Sequence, residues 1–161
     1  MPSKNVTRAD NQQERSAMAN WIVGFVDGEG SFLISIFRNA TTSSGWQVFP
    51  EFVVTQGARS LKVLKKMQTY FGCGKVFINW RYDNHHEPIY RFCVRNGDDL
   101  REKVIPFFER YRLRTAKLED FRKFRQTLDL MAQKIHLKEK GFERIRVIAE
   151  TMNRKGIKKH S

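Results

Sequence analysis

The sequence predicts an α+β fold in which helices cover one face of a four-stranded antiparallel sheet. Two pairs of short segments alternate apolar and polar residues, as half-buried strands do. Each pair is followed by a stretch with helical apolar spacing, and another such stretch precedes the first pair. The expected element order is therefore αββαββα, with two additional C-terminal helices after it.

The first helix is expected at 13–26, because apolar residues recur at helical spacing from Met18 onwards. A glycine- and acid-rich run at 27–30 ends this helix. The polar residues 1–12 are expected to form a flexible tail. A single domain then occupies 13–153, and residues 154–161 form a basic tail.

The remaining elements follow from the same two patterns. Strand alternation covers 31–38, 46–56, 75–81 and 90–95. Helical spacing covers 60–71, 98–111, 115–137 and 140–152. Ser60 is the expected N-cap of the first of these helices. At 161 residues, the chain is long enough to bury a core as one domain.

The chain carries a formal net charge of +13 and has a pI near 10.1, which favours a polyanionic partner. The sequence has no apolar run that could span a bilayer, and its polar N-terminal residues do not resemble a secretory signal. Cys73 and Cys93 lack metal-ligand spacing and are expected to be buried thiols in a reducing compartment. We therefore expect an intracellular protein, in an organelle or in bacterial or archaeal cytoplasm, with no membrane partner.

One face of the predicted sheet is rich in residues that hydrogen-bond to base edges or phosphates. A twisted ribbon of this kind fits the major groove of double-stranded DNA, although an ordinary solvated face is the alternative. Arginines on this face are expected to donate to guanine, and Glu51 to accept from cytosine. The candidate DNA-binding residues are Ser35, Phe37, Gln47, Glu51, Lys75, Asn79, Arg81, Arg91 and Arg95.

A glycine stripe marks the end of the first helix. Gly24 and Gly28 are four residues apart, so they lie on one side of the helix and allow a second helix to approach closely. Asp27 and Glu29 lie at the C-terminal end of this helix, where unpaired carbonyls also attract cations. Oxygen ligands of this kind suit Mg²⁺. The alternative is an acidic glycine turn with only a structural role.

The string Ile-Val-Gly-Phe-Val-Asp-Gly-Glu-Gly at 22–30 resembles the signature of the LAGLIDADG homing endonucleases. The duplicated ββα arrangement, Phe-Val-Val-Thr-Gln at 52–56 and Pro-Phe-Phe-Glu-Arg-Tyr at 106–111 extend the resemblance over most of the chain. The string departs from the family name at its first two positions, where Leu-Ala is usual. The resemblance implies the homing-endonuclease fold, with its four-stranded sheet as the DNA-binding surface.

The resemblance also implies roles for individual residues. Glu29 is the metal-binding catalytic carboxylate, and the carbonyl of Gly28 also faces the metal. Gln56 helps to organise the water near the cut phosphate. A basic residue, Lys117 or else Arg114, supports the pocket. The implied cofactor is Mg²⁺, with two or three ions shared at the dimer active site.

The motif occurs once, whereas the chemistry of the family needs two motif helices, so the resemblance implies a homodimer. Twofold symmetry makes the target approximately palindromic. The implied function is a site-specific, intron-encoded homing endonuclease that makes metal-dependent double-strand breaks in a long DNA target. The expected dimer-interface residues are Trp21, Gly24, Phe25, Asp27 and Gly28.

The main alternative on this scaffold is a maturase that binds intron RNA without cutting DNA. Glu29, Gln56 and Lys117 favour cleavage, because help with splicing requires no metal-binding acid. A transcription regulator with a degenerate motif would be expected to have lost that acid. A basic ribosome-binding domain would account for the charge but not for the glycine stripe.

Overall fold

The computed structural model describes residues 7–80 and 87–152. Its strands are β1 (Gly30–Arg38), β2 (Trp46–Gly57), β3 (Lys75–Asn79) and β4 (Ile89–Val94). Its α-helices are α1 (Arg8–Glu29), α2 (Leu61–Phe71), α3 (Gly97–Asp99), α4 (Ile105–Arg110), α5 (Lys117–Ala132) and α6 (Glu139–Glu150). A π-helical turn joins α3 to α4, so these two correspond to the single helix expected after the second strand pair. The predicted α+β order is confirmed.

The first helix begins at Arg8, not at Gln13, so residues 8–12 belong to the helix and not to a tail. Thr7 and Asp10 form a capping box at its start. The Thr7 hydroxyl accepts from the Asp10 N–H at 3.3 Å, and the Asp10 carboxylate accepts from the Thr7 N–H at 3.1 Å. Apolar periodicity could not reveal this part of the helix, because residues 8–15 are all exposed. The expected basic tail at 154–161 lies outside the described residues.

The four strands form one antiparallel sheet in the order β1-β2-β4-β3. Phe32 pairs with Phe52 across β1 and β2, and Phe52 pairs with Val94 across β2 and β4. Because side chains alternate along each strand, this register places the even-numbered residues on one face and the odd-numbered residues on the other. We call these the inner and the outer face of the sheet.

An aromatic cluster lies between the inner face and the helices. The Phe32 ring contacts four other rings, and each centroid-to-centroid distance is 5.3 Å. These rings belong to Phe52, Phe108, Phe121 and Phe124. All five side chains are buried. Burial of one such ring contributes roughly 2–3 kcal/mol, so this cluster holds the helices against the inner face. No helix of the described residues covers the outer face.

The sequence predicts buried free thiols and no membrane-spanning segment. Both cysteines are free, with Cys93 buried and Cys73 half-buried. Burial raises the pKa of both thiols. Within residues 7–80 and 87–152, no helix combines the length and the apolar character needed to cross a bilayer.

Candidate active site and nucleic-acid interface

The last turn of α1 passes directly into β1 at one end of the sheet. The N–H of Gly30 donates to the carbonyl of Val26 at this junction. A Cβ at position 30 would lie 2.6 Å from Cγ1 of Val26, so a larger residue would clash there. Glycine therefore lets the helix and the strand join without a loop, which holds Glu29 at the end of the sheet.

Glu29 and Gln56 meet at this junction. Gln56 lies on β2 two positions beyond Val54, the residue that pairs with Gly30. Its Nε2 donates to Oε2 of Glu29 at 3.4 Å, a long and therefore weak hydrogen bond. Glu29 is exposed. Its carboxylate is thus accessible from outside the chain and lies beside a neutral amide.

Asp27, two residues earlier, is held inside its own chain. Its carboxylate accepts from the backbone N–H of Arg114 at 2.7 Å, from that of Thr115 at 3.1 Å and from the Thr115 hydroxyl at 2.6 Å. Partial burial acts to raise the pKa of Asp27, but these hydrogen bonds and the charge of Lys117 outweigh it and hold the pKa below its ordinary value. Asp27 therefore ties α1 to the loop that precedes α5.

Lys117, the first residue of α5, reaches back to the same helix end. Its Nζ donates to the carbonyl of Val26 at 3.1 Å. Burial lowers the pKa of Lys117 below its ordinary value, although Asp27, Glu29 and Asp120 act in the opposite direction. Between the two basic candidates, the structure places the Lys117 ammonium against α1, whereas Arg114 contributes a backbone N–H and has an exposed side chain.

The outward side of α1 has no covering element among the described residues. Gly24 and Gly28 are exposed, and a Cβ at either position would meet no atom within 4 Å. Trp21 is 44 % exposed, and its ring stacks on that of Phe25 at 4.9 Å. Close packing among the described residues therefore does not explain these glycines, and they adjoin an aromatic pair in which Trp21 is exposed and Phe25 is half-buried.

Eight of the nine candidate DNA-binding residues fall within the described part of the chain, and Arg81 lies outside it. All eight have odd numbers, so the strand register places the seven that lie within strands on the outer face. Arg95 follows β4 and reaches Glu51 on the same face. Ser35, Phe37, Lys75 and Arg95 are exposed. Gln47 and Asn79 are half-buried, and Gln47 accepts from the side chain of Asn39 at 2.8 Å.

Glu51 departs from the expectation of a free hydrogen-bond acceptor. It is only 7 % exposed, although it points to the outer face. Its Oε1 accepts from Nη2 of Arg91 at 3.1 Å, and its Oε2 accepts from Nε of Arg95. Both carboxylate oxygens thus accept a hydrogen bond within the chain. Acceptance from cytosine would have to use the remaining lone pairs or replace an arginine, and it stays a prediction.

Three residues that the sequence reading did not single out contribute to these two regions. Thr115 supplies two of the hydrogen bonds that hold Asp27. Phe49 and Phe77 lie beneath the Arg95 guanidinium, whose carbon is 5.6 Å and 5.5 Å from their ring centroids. Strand alternation could have found the two phenylalanines, because both lie in the outward phase. No local pattern marks Thr115.

The donor set at the end of α1 suits a hard divalent cation. It combines the exposed Glu29 carboxylate with the carbonyls of a helix terminus, and oxygen donors of this kind are those that Mg²⁺ and Ca²⁺ prefer. Asp27 is already engaged by Arg114 and Thr115. In the part of the chain that the structure describes, no group of three or more His, Cys, Asp or Glu side chains could enclose a metal. One chain therefore offers a partial ligand set.

Comparison with known protein families agrees with this arrangement. The family model described as LAGLIDADG endonuclease matches residues 22–128, which is more than half of the chain. The chain belongs to the LAGLIDADG endonuclease family. The match begins in α1 and ends in α5, so it includes the helix end, the whole sheet and Lys117 of this LAGLIDADG chain.

Curated relatives of this LAGLIDADG chain carry endonuclease names. It is 33% identical over 126 residues to "Probable intron-encoded endonuclease 2" of Neurospora crassa, covering 78% of this chain and 25% of that protein. It is 30% identical over 136 residues to "DNA endonuclease I-CeuI" of Chlamydomonas moewusii, covering 83% of this chain and 61% of that protein. The chain thus spans a quarter to about three fifths of the length of these relatives.

Solved structures of LAGLIDADG relatives share the fold. The homing endonuclease I-TnaI is 39% identical with a TM-score of 0.76, over 86% of this chain and 89% of that one. The meganuclease I-SmaMI bound to uncleavable DNA is 32% identical with a TM-score of 0.77, over 84% of this chain and 45% of that one. The expected homing-endonuclease fold is confirmed, and the names of these relatives do not favour the maturase alternative.

Proposed function

We propose that this chain is a site-specific homing endonuclease that cuts both strands of a long, approximately palindromic DNA target. It would act as a homodimer and use Mg²⁺. The observation that carries the proposal is the exposed Glu29 carboxylate at the end of α1. Gln56 lies 3.4 Å from it, and Lys117 contacts the same helix end.

The open side of α1 supports the homodimer. A second α1 can approach Gly24 and Gly28 closely, and burial of Trp21 and Phe25 would favour the contact. A twofold contact pairs the same surface on both copies, so two Glu29 carboxylates would lie near the twofold axis. The 45% coverage of DNA-bound I-SmaMI also supports two copies, because one copy matches less than half of that chain.

The metal would be held by the Glu29 carboxylate and the Gly28 carbonyl. When bound, Mg²⁺ would supply an activated water and stabilise negative charge on the phosphate that is cut. Gln56 can orient a water through its amide, and the Lys117 ammonium adds positive charge beside the carboxylate. I-SmaMI is described as bound to its uncleaved DNA target in the presence of calcium ions, which supports a divalent ion for this chain.

The outer face of the sheet would lie in the major groove. The odd-numbered side chains of all four strands point to this face. The helices within residues 7–80 and 87–152 pack on the inner face. A net charge of +13 supports a polyanion as the partner. Phosphate contacts would hold the duplex, and side chains of the outer face would distinguish its bases.

Selection from a randomised duplex library tests this function. The purified chain is incubated with the library in Mg²⁺ and, separately, in EDTA, and the cut ends are sequenced. We expect double-strand breaks at one long, nearly palindromic consensus in Mg²⁺ and none in EDTA. Binding of intron RNA with no cutting of any duplex in Mg²⁺ would contradict the proposal and favour a maturase.

A further inference from the structure

The centre of the outer face holds a carboxylate beneath two arginines. Glu51 is 7 % exposed, and its outer-face neighbours Val53 and Cys93 are 4% and 3% exposed. Such burial is unexpected on a face that no helix of the described residues covers. The long side chains of Arg91 and Arg95 account for the burial of Glu51, because both reach it, one from β4 and the other from the residue that follows this strand.

Arg95 lies directly across from Glu51, one step beyond the Phe52–Val94 pair. Its Nε donates to Glu51, and its guanidinium lies over Phe49 and Phe77. The hydrogen bond to Glu51 is the largest cause of a pKa raised above the ordinary arginine value. Glu51 engages the Nε edge of the guanidinium, so the two terminal amino groups can pair with something else. The Arg95 side chain is 46% exposed, so it is accessible from the outer face.

Arg91 occupies a different position. It lies opposite Thr55, so its side chain must run along the sheet past the Val53–Cys93 pair to reach Oε1 of Glu51. Its side chain is only 23% exposed. Arg91 therefore covers this part of the sheet and presents less of its guanidinium than Arg95 does.

The negative charge of Glu51 weakens the attraction between this face and DNA phosphates. A buried ion pair such as this one also need not stabilise the fold. The effect of Glu51 on Arg95 is more specific. A free arginine samples many rotamers and must be ordered when it binds, whereas a held guanidinium is ordered in advance. One carboxylate and two aromatic rings contact the Arg95 guanidinium and restrict its orientation.

We propose that Glu51 is a positioning residue that holds Arg95 to read guanine in the major groove. The inference rests on the proposed function, because it names a base preference of the same DNA-binding face. Arg95 would pair through its two terminal amino groups with O6 and N7 of guanine. A bidentate pair of this kind discriminates against other bases by about 5- to 150-fold. Arg91 pairs with the other carboxylate oxygen of Glu51 and contacts no base.

The test is a base-preference profile from cleavage of duplexes that carry each single substitution in the selected target. Wild type is compared with Glu51→Gln, Arg95→Lys, Arg91→Lys and the Glu51→Gln/Arg95→Lys double variant. We expect one guanine per half-site to lose its preference in Glu51→Gln and in Arg95→Lys, and no further loss in the double variant. Arg91→Lys should keep that preference, since a lysine can still contact Glu51.

Lys75→Gln is the matched control, because it removes one charge from the same face without touching Glu51. It should weaken cleavage of all duplexes similarly and leave the guanine preference intact. A wild-type preference for guanine that survives Arg95→Lys would overturn the inference. So would the loss of a cytosine preference in Glu51→Gln that Arg95→Lys does not reproduce, because Glu51 would then read the base itself.

A measurement without DNA keeps the inference separate from the proposed function. In nitrogen-15 spectra of the free protein, the Arg95 Nε–H should exchange slowly with solvent in wild type and at least 10-fold faster in Glu51→Gln. Equal exchange in the two proteins would refute the positioning role, even if the enzyme cuts DNA. Slow exchange together with no DNA cleavage by wild type would instead show that the proposed function has failed.

Discussion

The end of α1 and the outer face of the sheet each hold a glutamate in a strongly basic chain, and their surroundings are opposite. Glu29 is exposed, and its hydrogen bond from Gln56 is 3.4 Å long. Glu51 is buried and bonded by two guanidinium groups. The partners of a carboxylate, and not its residue type, decide whether it is available to an ion or serves to position other side chains.

Asp27 shows the same contrast over a shorter distance. It lies two residues before Glu29 in the same helix, yet three hydrogen bonds from Arg114 and Thr115 occupy its carboxylate. The helix end thus holds one carboxylate that ties the fold together and one that faces outward. Substitutions at the two positions should therefore differ in kind: loss of Glu29 should affect cleavage, and loss of Asp27 should affect stability.

The largest effect is expected from Glu29→Gln. The amide keeps the size of the side chain but removes the charge that would hold the metal, so single-turnover cleavage should fall on the order of 1,000-fold or more. Binding of the selected duplex, measured in Ca²⁺ by anisotropy, should change less than about 3-fold. Glu102→Gln, the same change at an exposed acid elsewhere, is the control. Retained cleavage by Glu29→Gln would remove this residue from the active site.

Gly24→Leu should separate association from folding. A Cβ here meets no atom within 4 Å, and leucine favours a helix over glycine by about 0.8 kcal/mol. The monomer should therefore keep or raise its melting temperature. Overpacking costs roughly 1–3 kcal/mol per copy and occurs twice in a twofold contact, so the dimer dissociation constant should rise about 100-fold. Analytical ultracentrifugation measures the dissociation constant, and Gln126→Leu on α5 is the control. An unchanged dissociation constant for Gly24→Leu would place the interface elsewhere.

Lys117 should give the cleavage rate an alkaline limit. Burial lowers its pKa, so the ammonium loses its proton at a lower pH than an ordinary lysine does. If its charge supports cleavage, the rate should fall as pH rises through that lowered pKa. Lys117→Arg should move this fall to higher pH, since arginine stays charged, and Lys117→Met should lower the rate about 10- to 100-fold at neutral pH. Identical pH profiles for wild type and Lys117→Arg would contradict a role for this charge.

Asp27→Asn should give the smallest effect, and it should appear in stability. The pKa of Asp27 is lower in the folded state than in the unfolded chain. Ionised Asp27 therefore stabilises the fold at pH values above the ordinary carboxyl pKa. This contribution is lost as the pH falls through the pKa of the folded state. We expect a loss of roughly 1–2 kcal/mol in urea unfolding at pH 7 that shrinks below about pH 4. Asp129→Asn, at an exposed position of α5, should change stability by less than about 0.5 kcal/mol. A pH-independent difference would mean that ionisation of Asp27 does not matter.

The elements of the fold could be predicted because they depend on local periodicity. Alternation in β1 and β2 and helical spacing in α2 are each visible within a dozen residues. The first turns of α1 could not, because a helix segment exposed all round has no apolar stripe. Its capping pair, Thr7 and Asp10, is the local signal that marks its start.

The candidate site could be predicted only in part. The family string pointed to Glu29, and strand parity placed Glu51 on the outer face. Burial of Glu51 depends on how the Arg91 and Arg95 side chains extend across the neighbouring strand. The alternation of residues along a strand does not reveal this. The partner of Asp27, Thr115, is 88 residues away in sequence, and only the folded chain brings them together.

The central claim is that two copies of α1 pack together and that each copy supplies one Glu29 for one strand. A mixed dimer of wild type and Glu29→Gln, purified through two different tags, tests this most directly on a supercoiled plasmid carrying the target. We predict that the mixed dimer nicks one strand and accumulates open circles, whereas the wild-type dimer gives linear DNA. Linear product from the mixed dimer at the wild-type rate would contradict the claim.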